Sequence, residues 1–164
     1  MKTIKWEGVM PAVTTKFTQN NTLDLSMFAT NIKAQLDAGV HGIVLGGTLG
    51  EASTLLTSEK KILIETTVEL ANNKVPVLMN IAEQSTKAAI LAAEAAEQQG
   101  ANGLMLLPPM RYTACPKETV AYISEVAKST SLPLLIYNNP VDYKIEITLD
   151  MFDELLKHDN IQAV

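Results

Sequence analysis

Residues 42–51 read Gly-Ile-Val-Leu-Gly-Gly-Thr-Leu-Gly-Glu, an apolar run that leads directly into a glycine-rich turn. The run shows no alternation of apolar and polar residues, which is typical of a strand buried on both faces of a parallel sheet. Similar runs recur along the chain at 75–79, 103–107, 132–137 and 161–164. A sixth candidate at 8–13 is weaker, because it contains Pro11. The sequence therefore predicts five or six buried parallel strands.

Helical patterns lie between these runs. Leu25, Phe28, Ile32 and Leu36 recur at three- and four-residue spacing and stop before Gly39, which predicts an amphipathic helix with a glycine at its end. Capping signals predict four further helices, which begin near Thr57, Ser85, Pro116 and Thr148. Successive strand ends are 27 to 34 residues apart, so strand and helix alternate as in an α/β fold with right-handed crossovers.

Two α/β architectures are compatible with this alternation. A doubly wound parallel sheet is complete within 164 residues, whereas a (β/α)8 barrel needs roughly 250. Length alone favours the doubly wound sheet. The last apolar run reaches Val164, however, so a buried strand would be the final element, with no helix to cover it.

Composition and charge exclude several classes of protein. Thirteen basic and 18 acidic residues give a net charge of −5, which argues against a nucleic-acid partner or an anionic membrane surface. One cysteine and two histidines are too few for a disulfide framework or a structural zinc site, so we expect no metal and a reducing, cytoplasmic environment. No apolar segment is long enough for a signal peptide or a membrane span.

Polar residues follow the predicted strands at their carboxyl ends: Thr14-Thr15, the turn at 46–51, Asn80 with Glu83, Arg111-Tyr112, and Tyr137-Asn138-Asn139. The strand starts carry only His41, Asn102 and Asn160. Both architectures place active sites at the carboxyl ends, so we expect a site there, although turns are polar in most proteins. The turn at 46–51 has the glycines to bind an anion through backbone N–H groups, but it matches neither a phosphate loop nor a dinucleotide fingerprint.

Two motifs in register resemble a known family. Ala38-Gly39-Val40-His41-Gly42-Ile43-Val44, followed by Gly47-Thr48-Leu49-Gly50-Glu51 and Leu55-Leu56-Thr57, together with Tyr137-Asn138-Asn139-Pro140, resembles the dihydrodipicolinate synthase/N-acetylneuraminate lyase family of class I aldolases. The resemblance extends from about Trp6 to Val164. It implies a (β/α)8 TIM barrel, of which residues 1–164 would be the N-terminal part of a single domain, supplying strands 1 to 6.

The resemblance also implies a reaction and its partners. Family members are lyases, aldolases or synthases that form a lysine Schiff base with pyruvate or another 2-oxo acid, and they work as dimers or homotetramers without a cofactor. The implied lysine lies on the sixth strand, and residues 161–164 match the sequence that leads to it, so we expect it just after Val164. None of the twelve lysines present fits that role, and each is interpreted as a solvated surface charge.

Roles for individual residues follow from the same resemblance. Thr48 and the Leu49 backbone N–H would bind the carboxylate of the 2-oxo acid, and the Thr48 hydroxyl would also relay protons. Tyr137 would be the catalytic acid/base. Converging N–H groups favour a carboxylate, and a phenol in a hydrogen-bonded network can relay a proton. Glu51 is interpreted as a buried carboxylate that caps backbone N–H groups.

Two positions depart from the family pattern. Asp142 stands where dihydrodipicolinate synthases usually carry an arginine, which argues against a condensation of the lysine pathway. Arg111 stands where many members carry a tyrosine, and Tyr112 lies one residue further on; either residue could contact the second substrate, or both could be surface residues. Two alternatives remain open: a family dehydratase or deaminase acting on a hydroxyproline-derived pyrroline carboxylate, and a non-catalytic α/β ligand-binding domain.

Overall fold

The computed structural model describes residues 3–109 and 112–164. In chain order, the elements within them are α1 (Leu25–Asp37), β1 (Ile43–Leu45), α2 (Thr57–Ala71), β2 (Val77–Ile81), α3 (Thr86–Gln98), β3 (Gly103–Leu106), α4 (Pro116–Ser129), β4 (Leu134–Ile136), α5 (Pro140–Tyr143), α6 (Leu149–Leu155) and β5 (Ile161–Ala163). A 3₁₀ turn over Thr48–Gly50 follows β1. The predicted alternation of strands and helices is confirmed.

The five strands form one parallel sheet in which spatial order equals chain order, β1-β2-β3-β4-β5. The weak sixth run also joins this sheet, because Ala12 makes an isolated parallel bridge to Val44 beside β1. Each crossover connection thus places the next strand beside the previous one, always on the same side, as in a (β/α) barrel. A doubly wound sheet reverses direction at a switch point, so the doubly wound alternative is wrong.

The two faces of the sheet have different surroundings. Ile43, Leu45, Met79, Ile81, Leu104, Leu106, Leu134 and Ile136 belong to the hydrophobic core that the sheet forms with the helices. The alternate positions, Val44, Leu78, Asn80, Met105 and Leu135, lie on the opposite face, which we call the inner face. Tyr137 comes directly after Ile136 and therefore continues the inner face beyond the end of β4.

Apart from α5, the helices begin at the predicted positions: α1 at Leu25, and the others near Thr57, Ser85, Pro116 and Thr148. The side chain of Asp24 accepts a hydrogen bond from Met27 N at 2.9 Å, and that of Ser85 accepts one from Ala88 N at 3.2 Å. The four-residue helix α5 is absent from the sequence prediction, although Asn139 caps it and Pro140 occupies its first position. It is too short to show any apolar periodicity, so only its cap could have revealed it.

The N-terminal segment covers the amino end of the inner face. Ile4 N and Trp6 Nε1 both donate to Gln162 Oε1, at 3.4 and 3.2 Å. Gly103 leaves room for this segment, since a Cβ at that position would lie 2.6 Å from Ile4 Cδ1. Within the described ranges, none of the helices combines the length and apolar character needed to cross a bilayer.

Candidate active site

The turn after β1 presents hydrogen-bond donors at the carboxyl edge of the sheet. Gly46 has φ +61°, which favours glycine, and a Cβ there would lie 2.7 Å from Met79 Cε. The 3₁₀ turn then begins at Thr48, so the N–H groups of Thr48 and Leu49 have no acceptor within it. Both residues are exposed, Leu49 by 75%. The turn therefore offers two N–H groups and a hydroxyl to an incoming anion.

Two buried side chains hold this turn in place. The Thr15 hydroxyl donates to Gly50 O at 2.7 Å, and Asn80 Nδ2 donates to Gly46 O at 2.8 Å. Asn80 Oδ1 is itself buried and has no hydrogen-bond partner among the described residues. The sequence predicts that Thr15 and Asn80 lie at the carboxyl edge but assigns them no role. The signal for Asn80 is a lone amide among apolar residues.

Tyr137 lies at the same edge, where β4 ends. Its N–H donates to Leu106 O at 2.9 Å, and its ring packs against Tyr143 with centroids 5.9 Å apart. Asn139 Nδ2 donates to Asp142 Oδ2 at 2.8 Å and lies 3.5 Å from the Tyr137 hydroxyl. The phenol is half-buried and belongs to a small polar network, as a proton relay requires.

A second polar cluster lies beyond the end of β2. Lys60 Nζ pairs with Glu83 Oε1 at 3.1 Å, and both side chains are less than one-third exposed. The interpretation of Lys60 as a solvated charge is therefore wrong. The Tyr122 hydroxyl donates to the backbone O of Glu83 at 3.2 Å. Burial, and to a lesser degree the charge of Glu83, raise the pKa of Tyr122 well above its usual value, so this hydroxyl stays protonated.

Three sequence candidates remain: Tyr112, Arg111 and Glu51. Tyr112 is 56% exposed and lines a recess of about 430 Å³ between the start of α3 and α4, with Ser85, Glu118 and Tyr122. Arg111 lies outside the described residues. Glu51 is exposed and accepts a hydrogen bond from the Thr54 hydroxyl, so its interpretation as a buried cap is wrong.

The described residues show no cluster of three or more His, Cys, Asp or Glu side chains that could hold a metal ion. The groups that do lie at the carboxyl edge are the N–H donors and hydroxyl of the turn and the phenol of Tyr137. Together they can bind a carboxylate and move a proton on the atoms next to it.

A model of the dihydrodipicolinate synthetase family matches residues 5–164. The chain belongs to this family. A 4-hydroxy-tetrahydrodipicolinate synthase from Exiguobacterium sibiricum is 34% identical over 96% of the chain, and one from Methanospirillum hungatei is 35% identical over 97%. The chain spans about half the length of these curated relatives, 54% and 55%.

Solved structures of family members superpose closely on the chain. A dihydrodipicolinate synthase has a TM-score of 0.91 and 30% identity, with 96% of this chain and 55% of that one covered. YagE, a prophage protein of the family from E. coli K12 solved in complex with pyruvate, has a TM-score of 0.89 and 28% identity, with coverage of 96% and 53%. These relatives are TIM barrels, so the sequential parallel sheet is part of a (β/α) barrel.

Proposed function

We propose that this chain is part of a class I aldolase-type enzyme that forms a lysine Schiff base with pyruvate or another 2-oxo acid and then makes or breaks a C–C or C–O bond. One observation carries the proposal. In a chain of the dihydrodipicolinate synthetase family, the donor turn at Thr48 and Leu49 lies at the same sheet edge as the half-buried phenol of Tyr137.

Each group has a role in this reaction. The Thr48 hydroxyl and the Leu49 N–H bind the substrate carboxylate. The lysine amine adds to the keto carbon, and loss of water gives the iminium. Tyr137 relays the protons: it donates one to the departing hydroxyl and helps to remove one from the neighbouring carbon, which leaves an enamine. The chemistry needs no metal or organic cofactor.

The position of the lysine can be proposed from strand register. Leu135 of β4 pairs with Ala163 of β5 after a register shift. Continued by two residues, that pairing puts Tyr137 beside the position that follows Val164. We therefore place the Schiff-base lysine there, in a polypeptide in which residues 1–164 form the N-terminal part of one barrel domain. The segment through Ala12 would be its first strand, and β1 to β5 its strands two to six.

The second substrate would be recognised by residues at the carboxyl end of the barrel. Asp142 is exposed, and its carboxylate forms no ion pair with any described residue. A carboxylate next to Tyr137 disfavours an aldehyde partner that is itself anionic, so the lysine-pathway condensation ranks below sugar-acid cleavage. The dehydration or deamination of a hydroxyproline-derived pyrroline carboxylate is the alternative. Arg111 and Tyr112 would contact the second substrate.

We also propose that the enzyme is a cytoplasmic homo-oligomer, a dimer or homotetramer. The chain has one cysteine, Cys115, and it is a free thiol, as a reducing compartment favours. One solved relative is described as the first monomeric dihydrodipicolinate synthase variant. Light scattering of the full-length protein tests the oligomeric state, and a monomer would contradict it.

Borohydride trapping tests the reaction. Full-length protein reduced in the presence of pyruvate should gain the mass of one reduced pyruvate per subunit, and peptide mapping should place it on the residue that follows Val164. Protein reduced without pyruvate is the control. Pyruvate that binds without forming any adduct would support the non-catalytic ligand-binding domain instead.

A further inference from the structure

The turn of residues 46–50 is bonded from both of its flanks. On one side, the segment that bridges β1 contributes the Thr15 hydroxyl, which donates to Gly50 O. On the other side, β2 contributes Asn80 Nδ2, which donates to Gly46 O. We propose that Thr15 and Asn80 are positioning residues that hold the Thr48 hydroxyl and the Leu49 N–H against the substrate carboxylate. This inference rests on the proposed function.

The bond made by Thr15 fixes the far end of the turn. The Thr15 side chain is buried, and its oxygen is 2.7 Å from Gly50 O. The two backbones also approach closely here, since a Cβ on Gly50 would lie 2.9 Å from Val13 O. Gly50 therefore has little room to move toward the N-terminal segment, and the hydroxyl keeps it from moving away.

Asn80 fixes the near end of the turn, although the other atom of its amide reduces the stability of the fold. Asn80 is 4% exposed, and its Oδ1 is buried without a partner among the described residues. An unpaired buried acceptor destabilises a fold, whereas an apolar side chain of the same shape does not. Every other residue of β1 to β4 is apolar or glycine. The single polar residue of these four strands, Asn80, therefore lies at the position from which its side chain reaches Gly46 O.

The turn needs this support because of its own composition. Three of its five residues are glycines, and Gly46 has a positive φ. Glycine restricts the backbone less than any other residue, so the turn alone does not define where its N–H groups point. Carboxylate binding by backbone donors requires positions held to about 0.5 Å. Two short bonds to buried side chains supply that constraint.

The inference predicts a loss of pyruvate affinity that does not follow stability. In the full-length enzyme, Thr15→Val and Asn80→Leu should each raise the pyruvate concentration for half-maximal borohydride trapping by about tenfold, the worth of one hydrogen bond. The maximal yield of adduct should not change. Thr15→Ser retains a hydroxyl and should restore the wild-type value. Asn80→Leu removes the unpaired oxygen but also leaves Gly46 O without its donor, and because these two effects oppose each other, its Tm should stay close to that of the wild type.

Thr67→Val is the matched control. Thr67 is fully buried in α2, and its hydroxyl donates to Leu63 O at the same 2.7 Å as the Thr15 bond. This variant should lower Tm without changing half-maximal trapping. Wild-type half-saturation in both Thr15→Val and Asn80→Leu, with the adduct still formed, would overturn the inference alone. Absence of any adduct in the wild type would remove the proposed function and the inference together.

Discussion

The two edges of the sheet use their polar side chains differently. At the amino edge, the polar side chains form hydrogen bonds to backbone groups of the protein itself. Asn160 Nδ2 donates to three backbone carbonyls, those of Ala127, Thr130 and Leu132, at 2.9 to 3.3 Å. Asn102 Oδ1 accepts from Val77 N at 2.8 Å, and His41 Nδ1 accepts from Val9 N at 3.1 Å.

At the carboxyl edge, polar groups are left available. Among the described residues, none bonds the Thr48 hydroxyl or Asn80 Oδ1, and none forms an ion pair with the Asp142 carboxylate. A buried acceptor without a partner costs stability, whereas exposed groups such as the Thr48 hydroxyl are available to a ligand. The contrast indicates that changes at the amino edge will alter stability, whereas changes at the carboxyl edge will alter binding and turnover.

The largest effect should come from Tyr137. In the full-length enzyme, Tyr137→Phe keeps the ring that packs on Tyr143 but removes the hydroxyl near Asn139 Nδ2. Loss of a general acid/base should lower kcat by about 10²–10⁴-fold, with little change in Tm. Turnover and thermal melts are the measurements, and Tyr143→Phe is the control. Turnover of Tyr137→Phe at the wild-type rate would contradict the role of Tyr137 as the general acid/base and the location of the active site at the carboxyl edge.

Thr48 should have the next largest effect. Thr48→Val replaces an exposed hydroxyl by a methyl group, and loss of one hydrogen bond to a charged group should raise KM for the 2-oxo acid about ten- to a hundredfold. Thr54→Val, in the same segment, is the control, because the Thr54 hydroxyl already bonds Glu51 O at 3.0 Å. Equal kinetics for the two variants would contradict a role for the Thr48 hydroxyl.

Asn160 tests the amino edge. Asn160→Ala leaves three carbonyls without their shared donor, which should lower the free energy of unfolding by about 1–3 kcal/mol. Its kcat and KM should match those of the wild type at a temperature where both proteins are folded. Urea denaturation and steady-state kinetics measure the two. A changed KM with an unchanged free energy of unfolding would contradict the expectation that substitutions at the amino edge affect stability alone.

The sequence predicts the fold well because the signals are local. Continuous apolar runs and helix caps define β1 to β5 and five of the six helices within the described ranges, and these elements are confirmed. Length pointed to the wrong architecture, since 164 residues suit a complete doubly wound sheet. Strand order decides between the two, and order depends on contacts distant in sequence, which local patterns do not contain.

The site is predicted less completely. The motif at 137–140 marks Asn138 and Asn139 alike, yet the fold separates their roles. Asn138 bonds both backbone groups of Ile147, at 3.0 and 3.1 Å, whereas Asn139 lies near the Tyr137 hydroxyl. Thr15 and Asn80 reach the donor turn only through strand pairing, and the pair of Lys60 with Glu83 joins a helix to a loop. Such partners are invisible until the strands are placed.

The smallest effect concerns Tyr122, a carboxyl-edge group that we assign to the fold rather than to the chemistry. Its hydroxyl donates to Glu83 O, so Tyr122→Phe should lower the free energy of unfolding by about 0.5–1.5 kcal/mol at neutral pH, with unchanged kcat.

Because burial raises the pKa of Tyr122, the folded protein keeps this proton above pH 10.0, the group's ordinary pKa, while the unfolded chain loses it. The unfolded state then binds fewer protons, so wild-type stability should fall as pH rises, by about 1.4 kcal/mol per pH unit from this group. The phenylalanine variant lacks that dependence, and its deficit should shrink and then reverse above pH 10.0. Urea denaturation between neutral pH and pH 11 distinguishes the two proteins. Parallel stability profiles of the two proteins would contradict the raised pKa of Tyr122. A fall in kcat of Tyr122→Phe at neutral pH would indicate that Tyr122 takes part in the reaction.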